Sequence, residues 1–244
     1  MPEHIVHDFQ KQIKDLSAEE ILNWSLKTFE IERIALASSL GAEDQVLTDM
    51  IMKINPHAVI FTLDTGRLPE ETYRLIDKSR EKYGLTYRVL FPDYNEVETM
   101  VSEFGQNLFY ESIERRKQCC AVRKVKPLRR ALKGLSAWIC GLRKEQTEIR
   151  STIEKIEWDQ NFGLYKINPL AEWTEEQVWD YIHNHQVPYN SLHDQGYPTI
   201  GCAPCTRAVQ PGEHIRAGRW WWEDPEHKEC GLHMRNDHTI EKGK

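Results

Sequence analysis

Four short apolar runs, separated by stretches of helical periodicity, constrain this chain more than any other feature. Arg33-Ile-Ala-Leu-Ala-Ser38 reads as a buried strand. After it, Val46, Leu47, Met50, Ile51 and Ile54 recur at helical spacing. Ala58–Leu63 is a second strand ending in Asp64-Thr-Gly66, Glu70–Tyr83 is helical, Thr86–Phe91 is a third strand and Ala137–Leu142 a fourth. Strands that alternate with helices are joined by crossovers, which run them parallel and cover both faces. The expected fold is therefore α/β, a parallel sheet with helices on both faces.

Two capping boxes add helix starts. Ser17-Ala-Glu-Glu20 precedes Ile21, Leu22 and Trp24, and Thr174-Glu-Glu-Gln177 opens a helix reaching about His185. Beyond it Pro188, Gly196, Pro198, Gly201, Pro204, Pro211, Gly212 and Gly218 break the chain into loops. That part must be held by something other than a large core. With 244 residues, the expectation is one α/β domain over 1–210 and a mobile C-terminal segment, 211–244. No internal repeat or low-complexity stretch appears.

Hydrophobic residues make up 40% and charged residues 29%, which excludes disorder, collagen or coiled coil as the main architecture. Apolar runs such as Ile34–Leu36 are far too short to cross a bilayer. The opening Met1-Pro2-Glu3-His4 has no basic or apolar signal character. The chain is expected in the cytoplasm, without a membrane. The net charge of −6 is uneven: Arg115 to Lys144 holds eleven Lys or Arg and no Asp or Glu, leaving 21 basic against 38 acidic residues elsewhere. Such a stretch handles an anion or forms a solvated basic face. The overall acidity argues against nucleic acid.

Ser38-Ser-Leu-Gly-Ala-Glu-Asp44 joins a strand to a helix through small residues. Backbone N–H groups at such a turn, with a helix N-terminus behind them, suit a phosphate. Taken alone, a plain turn is the simpler reading. Thr62-Leu-Asp-Thr-Gly-Arg67 lies at the carboxyl end of another strand, where open α/β sheets bind ligands. Asp64 there reads equally as a turn cap or a ligand contact. Two loops on one edge favour a nucleotide pocket.

The six cysteines are Cys119, Cys120, Cys140, Cys202, Cys205 and Cys230. A cytosolic chain of this size does not favour structural disulfides. Cys119-Cys120 with Cys202-Ala-Pro-Cys205 offers four soft ligands for zinc or an iron–sulfur cluster. Adjacent cysteines diverge, which suits a cubane better than tetrahedral zinc. A redox Cys-x-x-Cys with two incidental cysteines is the alternative. Cys140, beside Trp138 and Ile139, reads as core. Lys124 is four residues after Cys120 and shares its face on a helix. Gly141-Leu-Arg-Lys-Glu-Gln-Thr-Glu-Ile-Arg150 brings two arginines after a strand end, where they can hold phosphate or sulfate. Cys230, with His233 three residues on, is a candidate nucleophile or an ordinary surface thiol. Trp220, Trp221 and Trp222 read as packing.

Together these motifs resemble the assimilatory sulfonucleotide reductases, most of all the bacterial adenylyl-sulfate (APS) reductases that carry a 4Fe-4S cluster. The resemblance spans roughly residues 30 to 235. It rests on Ser-Leu-Gly-Ala-Glu-Asp, Leu-Asp-Thr-Gly-Arg, Lys-x-Cys-Cys, Lys-Ile-Asn-Pro-Leu-Ala-x-Trp, Tyr-Pro-Thr-Ile-Gly-Cys-Ala-Pro-Cys-Thr-Arg, Arg-Ala-Gly-Arg-Trp-Trp-Trp and Glu-Cys-Gly-Leu-His. It implies an adenine nucleotide α-hydrolase-like fold whose modified PP-loop, Ser38 to Gly41 with Ser39 between them, holds the nucleotide. Leu40 in that loop has no hydroxyl, so a phosphosulfate contact there would come from the backbone. The resemblance implies cluster ligation by Cys119, Cys120, Cys202 and Cys205. It also implies phosphosulfate binding by Lys124, Arg150, Arg216 and Arg219, an adenine pocket lined by Leu63, a place near the nucleotide for Gly141, and substrate-binding roles for Asp64 and His233. Cys230 falls at the nucleophile, which would take the sulfonate as AMP leaves and yield sulfite to thioredoxin or glutaredoxin. A homo-oligomer is expected.

The nearest rival is a reductase for the 3′-phosphorylated substrate (PAPS), or one accepting both. That group shares the nucleotide loops and tail but lacks both cysteine pairs. An ATP pyrophosphatase would carry Ser-Gly-Gly-x-Asp-Ser, which this loop does not. A non-catalytic iron–sulfur or zinc redox sensor would explain the cysteines but neither the loops nor the tail.

Overall fold

The structure, a computed structural model, describes residues 2–146 and 150–224. Six strands form one sheet in the order β3-β2-β1-β4-β6-β5. They are β1 (Ile34–Ser38), β2 (Val59–Leu63), β3 (Arg88–Leu90), β4 (Ala137–Ile139), β5 (Ile156–Asp159) and β6 (Leu164–Ile167). The helices are α1 (Pro2–Ile13), α2 (Ala18–Thr28), α3 (Ala42–Ile54), α4 (Glu70–Tyr83), α5 (Tyr94–Phe104), α6 (Ile113–Cys120), α7 (Lys126–Leu132) and α8 (Glu175–Asn184). A π-helical turn, Ala121–Val125, joins α6 to α7.

Strands β3, β2, β1, β4 and β6 run parallel, as the alternating pattern requires. The edge strand β5 departs from an all-parallel sheet. It pairs antiparallel with β6, because a hairpin turn, with Gly163 at φ 71°, joins them with no crossover helix. Side chains alternate across the sheet. Ile34 and Leu36 of β1 enter one core with α2, α3 and α8, whereas Ala35 enters a second with α7. Both faces are therefore covered. Strands β3 and β4 are shorter than the sequence suggests, although Cys140 extends β4 with one more bond, to the Ile167 carbonyl at 2.9 Å.

Residues 211–224 are built into the domain. Thr206 bridges Arg219, Trp220 is buried beside Cys205, and Arg116 of α6 holds Glu223 through two hydrogen bonds of 2.9 and 2.7 Å. The expected mobility of 225–244 concerns residues outside the described ones. Among the described residues, no helix is long and apolar enough to cross a membrane.

Candidate functional site

Two cavities open near the carboxyl ends of the parallel strands. Strand order runs from β1 to β2 and β3 on one side and to β4 on the other, so the crevice between β1 and β4 is the sheet's switch point, where such folds bind ligands. Asp44, in the first turn of α3, spans it. Its Oδ2 accepts from Ser39 N–H and Ser39 Oγ, both at 2.6 Å, and its Oδ1 accepts from Gly141 N–H at 3.0 Å. Burial pushes the Asp44 carboxyl up to about 6 against those hydrogen bonds. Gly141 must be glycine there, because a Cβ would stand 2.4 Å from Asp44 Oδ1.

In the loop after β1, Ser38 Oγ accepts from Leu40 N–H at 3.2 Å. Leu40 holds φ 63°, in the left-handed region that side chains disfavour. Its side chain is buried in the core under α3, so it anchors the loop from below. Gly41 is the N-cap of α3 with no side chain over the helix end. Gly41, Ala42 and Glu43 line a cavity of about 150 Å³ with Arg143, Gln146, Arg150, Trp179, His193 and Arg216. Arg143 is held by Glu43 at 2.9 Å.

The second cavity gathers Cys119, Cys120, Cys202 and Cys205 with Arg67, Arg116, Arg123 and Lys124. Neighbouring residues on an α-helix point about 100° apart. The π-helical turn, closed by Lys126 N–H to the Ala121 carbonyl, widens the helix here and lets both cysteines and Lys124 line one cavity. The sequence reading of Lys124 assumed a regular helix, and the widened turn replaces it. Cys202 and Cys205 come from a single 3₁₀ turn, with Cys205 N–H bonded to the Cys202 carbonyl at 2.9 Å. None of the described cysteines is in a disulfide. Burial raises the Cys119 thiol and pushes Cys205 up to about 12, with nearby cations pulling the other way. Burial also raises Cys140, which sits in the core. Among the described residues, no group of three or more His, Cys, Asp or Glu is gathered closely enough to hold a single metal ion.

The loop after β2 borders the second cavity. Thr65 Oγ1 lies 3.2 Å from Cys202 Sγ, and the Thr65 carbonyl accepts from Arg123 Nη1 at 2.7 Å. The Arg67 carbonyl accepts from Ala203 N–H at 2.8 Å. Asp64 Oδ1 accepts from Gly66 N–H and the Tyr73 hydroxyl, at 2.7 and 3.1 Å, and Leu63 packs on the second core.

The four cations singled out in the sequence are divided. Arg150 and Arg216 line the first cavity and Lys124 the second. Arg219 is buried behind Gly201, where a Cβ would meet its guanidinium at 2.4 Å, and it donates to the Ile200 carbonyl at 3.2 Å. Cys230 and His233 lie outside the described residues. Sequence reasoning did not single out Glu43, Arg116, Arg123, His193 or Thr65. Thr65 and Glu43 carried a signal, their places inside the Asp-Thr-Gly turn and the Ser38–Asp44 loop.

A parallel sheet with small-residue loops at its switch point defines the class: an adenine nucleotide α-hydrolase-like protein. Residues 33–208 match the family described as phosphoadenosine phosphosulfate reductase domain. The adenosine 5′-phosphosulfate reductase of Allochromatium vinosum is 52% identical over 222 residues, covering 91% of this chain and 86% of that one. The protein of that name from Pseudomonas aeruginosa LESB58 is 47% identical, covering 92% and 85%. The crystal structure of phosphoadenylyl-sulfate (PAPS) reductase from Candida auris, a phosphate complex, matches with TM-score 0.72 at 31% identity, over 84% of this chain and 96% of that one. Candida glabrata FMN adenylyltransferase shares the fold alone, with TM-score 0.56 at 16% identity, over 85% and 68%. The chain belongs to the sulfonucleotide reductase family, among its adenosine 5′-phosphosulfate reductases.

Proposed function

We propose that this chain reduces APS to sulfite and AMP in sulfate assimilation and cysteine biosynthesis, with Cys230 as nucleophile and a protein thiol as reductant. The observation that carries it is the convergence of Cys119, Cys120, Cys202 and Cys205 on one cavity, beside nucleotide loops whose curated relatives at 47–52% identity are named for APS. Residues 1–210 form the nucleotide-binding domain with 211–224 packed on it, and the segment from 211 onward carries the nucleophile.

A 4Fe-4S cluster fits the four cysteines. Four soft thiol ligands line one cavity, and Arg67, Arg123 and Lys124 around them would offset thiolate charge. Cys119 and Cys120 at the end of α6, with Cys202 and Cys205, would hold the cluster, which would supply a fixed, delocalised charge there. The remaining chemistry belongs to the side chains. Lys124, Arg150 and Arg216 orient the phosphosulfate and offset charge on the departing phosphate. The Cys230 thiolate attacks the sulfate sulfur, an S–S bond forms, and the S–O bond to AMP breaks with its electron pair leaving on AMP. A thioredoxin or glutaredoxin thiolate then attacks Cys230 sulfur and releases sulfite. The reductant's second thiol resolves the mixed disulfide. Sulfur gains two electrons as two thiols become a disulfide. The setting is the cytoplasm, and the working form a homo-oligomer.

The test is anaerobic purification with iron and sulfide analysis, and sulfite release from APS and PAPS in parallel. Cys202→Ser and Cys205→Ser lose the iron. Cys230→Ser keeps it, binds APS and makes no sulfite. Full iron in both cluster variants, turnover by Cys230→Ser, or a higher kcat/KM for PAPS each overturns its part of the proposal. A PAPS reductase is the second reading, favoured by the Candida auris likeness.

A further inference from the structure

His193 lines the cavity at the α3 N-terminus, and the chemistry above leaves it unused. It opens a short 3₁₀ turn, His193–Gln195, and meets Trp179 edge-on at 5.2 Å. Its ring donates to the Tyr197 backbone. Its Nε2 is hidden from solvent and has no hydrogen-bond partner. The donor is therefore Nδ1, and the neutral ring presents a lone pair at Nε2. Burial favours that neutral form. A buried nitrogen left unmatched is uncommon, and folding gains nothing from it. Its complement is a hydrogen-bond donor brought by a ligand.

APS offers such donors at its adenine amine and its two ribose hydroxyls. The reading above, on which this inference rests, places adenine at Leu63, and Gly141 near the nucleotide. The Gly141 carbonyl accepts from Gln146 Nε2 at 3.3 Å, and Gln146 lines the cavity that contains His193. The sugar joined to that adenine thus comes next. The 2′-hydroxyl is common to APS and PAPS, whereas the 3′ position distinguishes them. We propose that His193 Nε2 accepts a hydrogen bond from the ribose 3′-hydroxyl and so selects against a nucleotide phosphorylated there. The charges acting on His193 are those of Glu43, Asp194 and Glu175, all acidic. Arg143, Arg150 and Arg216 line the same cavity, and Arg143 is held by Glu43. A 3′-phosphate has no hydrogen to give the Nε2 lone pair, whereas a 3′-hydroxyl does.

Calorimetric titration of the iron-loaded full chain with AMP, 2′-deoxy-AMP, 3′-deoxy-AMP and 3′-phospho-AMP tests this. Wild type should bind AMP about tenfold tighter than 3′-deoxy-AMP, the size of one lost hydrogen bond, and should also disfavour 3′-phospho-AMP. His193→Asn keeps a donor near Nδ1 but has no acceptor at Nε2, so it should bind AMP and 3′-deoxy-AMP alike and lose selectivity against 3′-phospho-AMP. His193→Gln, with an amide oxygen near Nε2, should regain much of both preferences. The proposal fails if the penalty falls on 2′-deoxy-AMP instead, if His193→Asn keeps the wild-type preference, or if that variant weakens every nucleotide equally, as a purely structural role would. Wild type that discriminates these nucleotides yet releases no sulfite from APS would overturn the reaction and leave this assignment standing.

Discussion

At the scale of single residues, the nucleotide loop carries two costs. Leu40 holds a left-handed backbone that costs a non-glycine residue roughly 1–2 kcal/mol, against which stands its burial in the core. Asp44 is a buried carboxylate held by three donors across the switch point. Its pKa rises from 3.8 to about 6 in the folded chain, mainly through burial, so the folded state holds that proton more tightly than the unfolded state. The contribution to stability is full below about pH 4 and is lost as pH rises through about 6. In urea unfolding at pH 4.5 and pH 7, wild type should lose more stability over that interval than Asp44→Asn. Equal losses would mean Asp44 does not titrate there.

At the scale of elements, the helix that runs from α6 through the π-helical turn to α7 sets the second cavity. Leu128, Ala131 and Leu132 fix α7 in the core, so the widened turn decides where α6 points its cysteines. Deleting Ala121 would return the turn to α-helical hydrogen bonding and remove the widening that lets Cys119, Cys120 and Lys124 line one cavity. The deletion variant should keep its far-UV circular dichroism and lose iron several-fold. Unchanged iron would show that the π geometry is dispensable. Helix α4 illustrates the opposite case. Pro69 precedes it and Gly84 at φ 62° ends it, so its limits, Glu70 and Tyr83, were legible without any tertiary contact. The β5–β6 hairpin was also written in the chain, as two apolar stretches around Asp159-Gln-Asn-Phe-Gly163, but a pattern sought only as βα alternation passes over it.

At the scale of the whole molecule, the basic stretch from Arg115 to Lys144 divides between anion cavity and internal pairing. Arg116 binds Glu223, Lys126 binds Glu96, Arg143 binds Glu43 and Arg123 holds the Thr65 carbonyl. The Arg116–Glu223 pair is buried on both sides and fastens 211–224 to the cysteine-bearing helix. Removing one partner leaves a buried charge, at about 3–5 kcal/mol, whereas replacing both with apolar residues of similar volume is often close to neutral. Glu223→Ala should therefore unfold at markedly lower temperature, and Arg116→Met with Glu223→Leu should recover most of the loss. A double variant as unstable as Glu223→Ala would mean the pair does more than fasten the segment. Oxygen-free circular dichroism melts measure both.

The sequence by itself determined what depends on near neighbours. The strands at 34–38 and 59–63, the capped helices and the turn at Asp64-Thr-Gly66 follow from periodicity, caps and small residues acting over a few positions. The pairing of cysteine motifs followed from thiol chemistry, which is independent of fold. Tertiary structure alone decided which distant groups meet. Nothing local to Asp44 reveals that it bonds Gly141, nothing local to Arg116 names Glu223, and the separation of Arg219 from Arg216 depends on whether each side chain turns toward Gly201 or toward the α3 N-terminus. These choices depend on which buried polar groups each side chain must satisfy once the sheet has closed, and that is known only when both ends of a contact are in place.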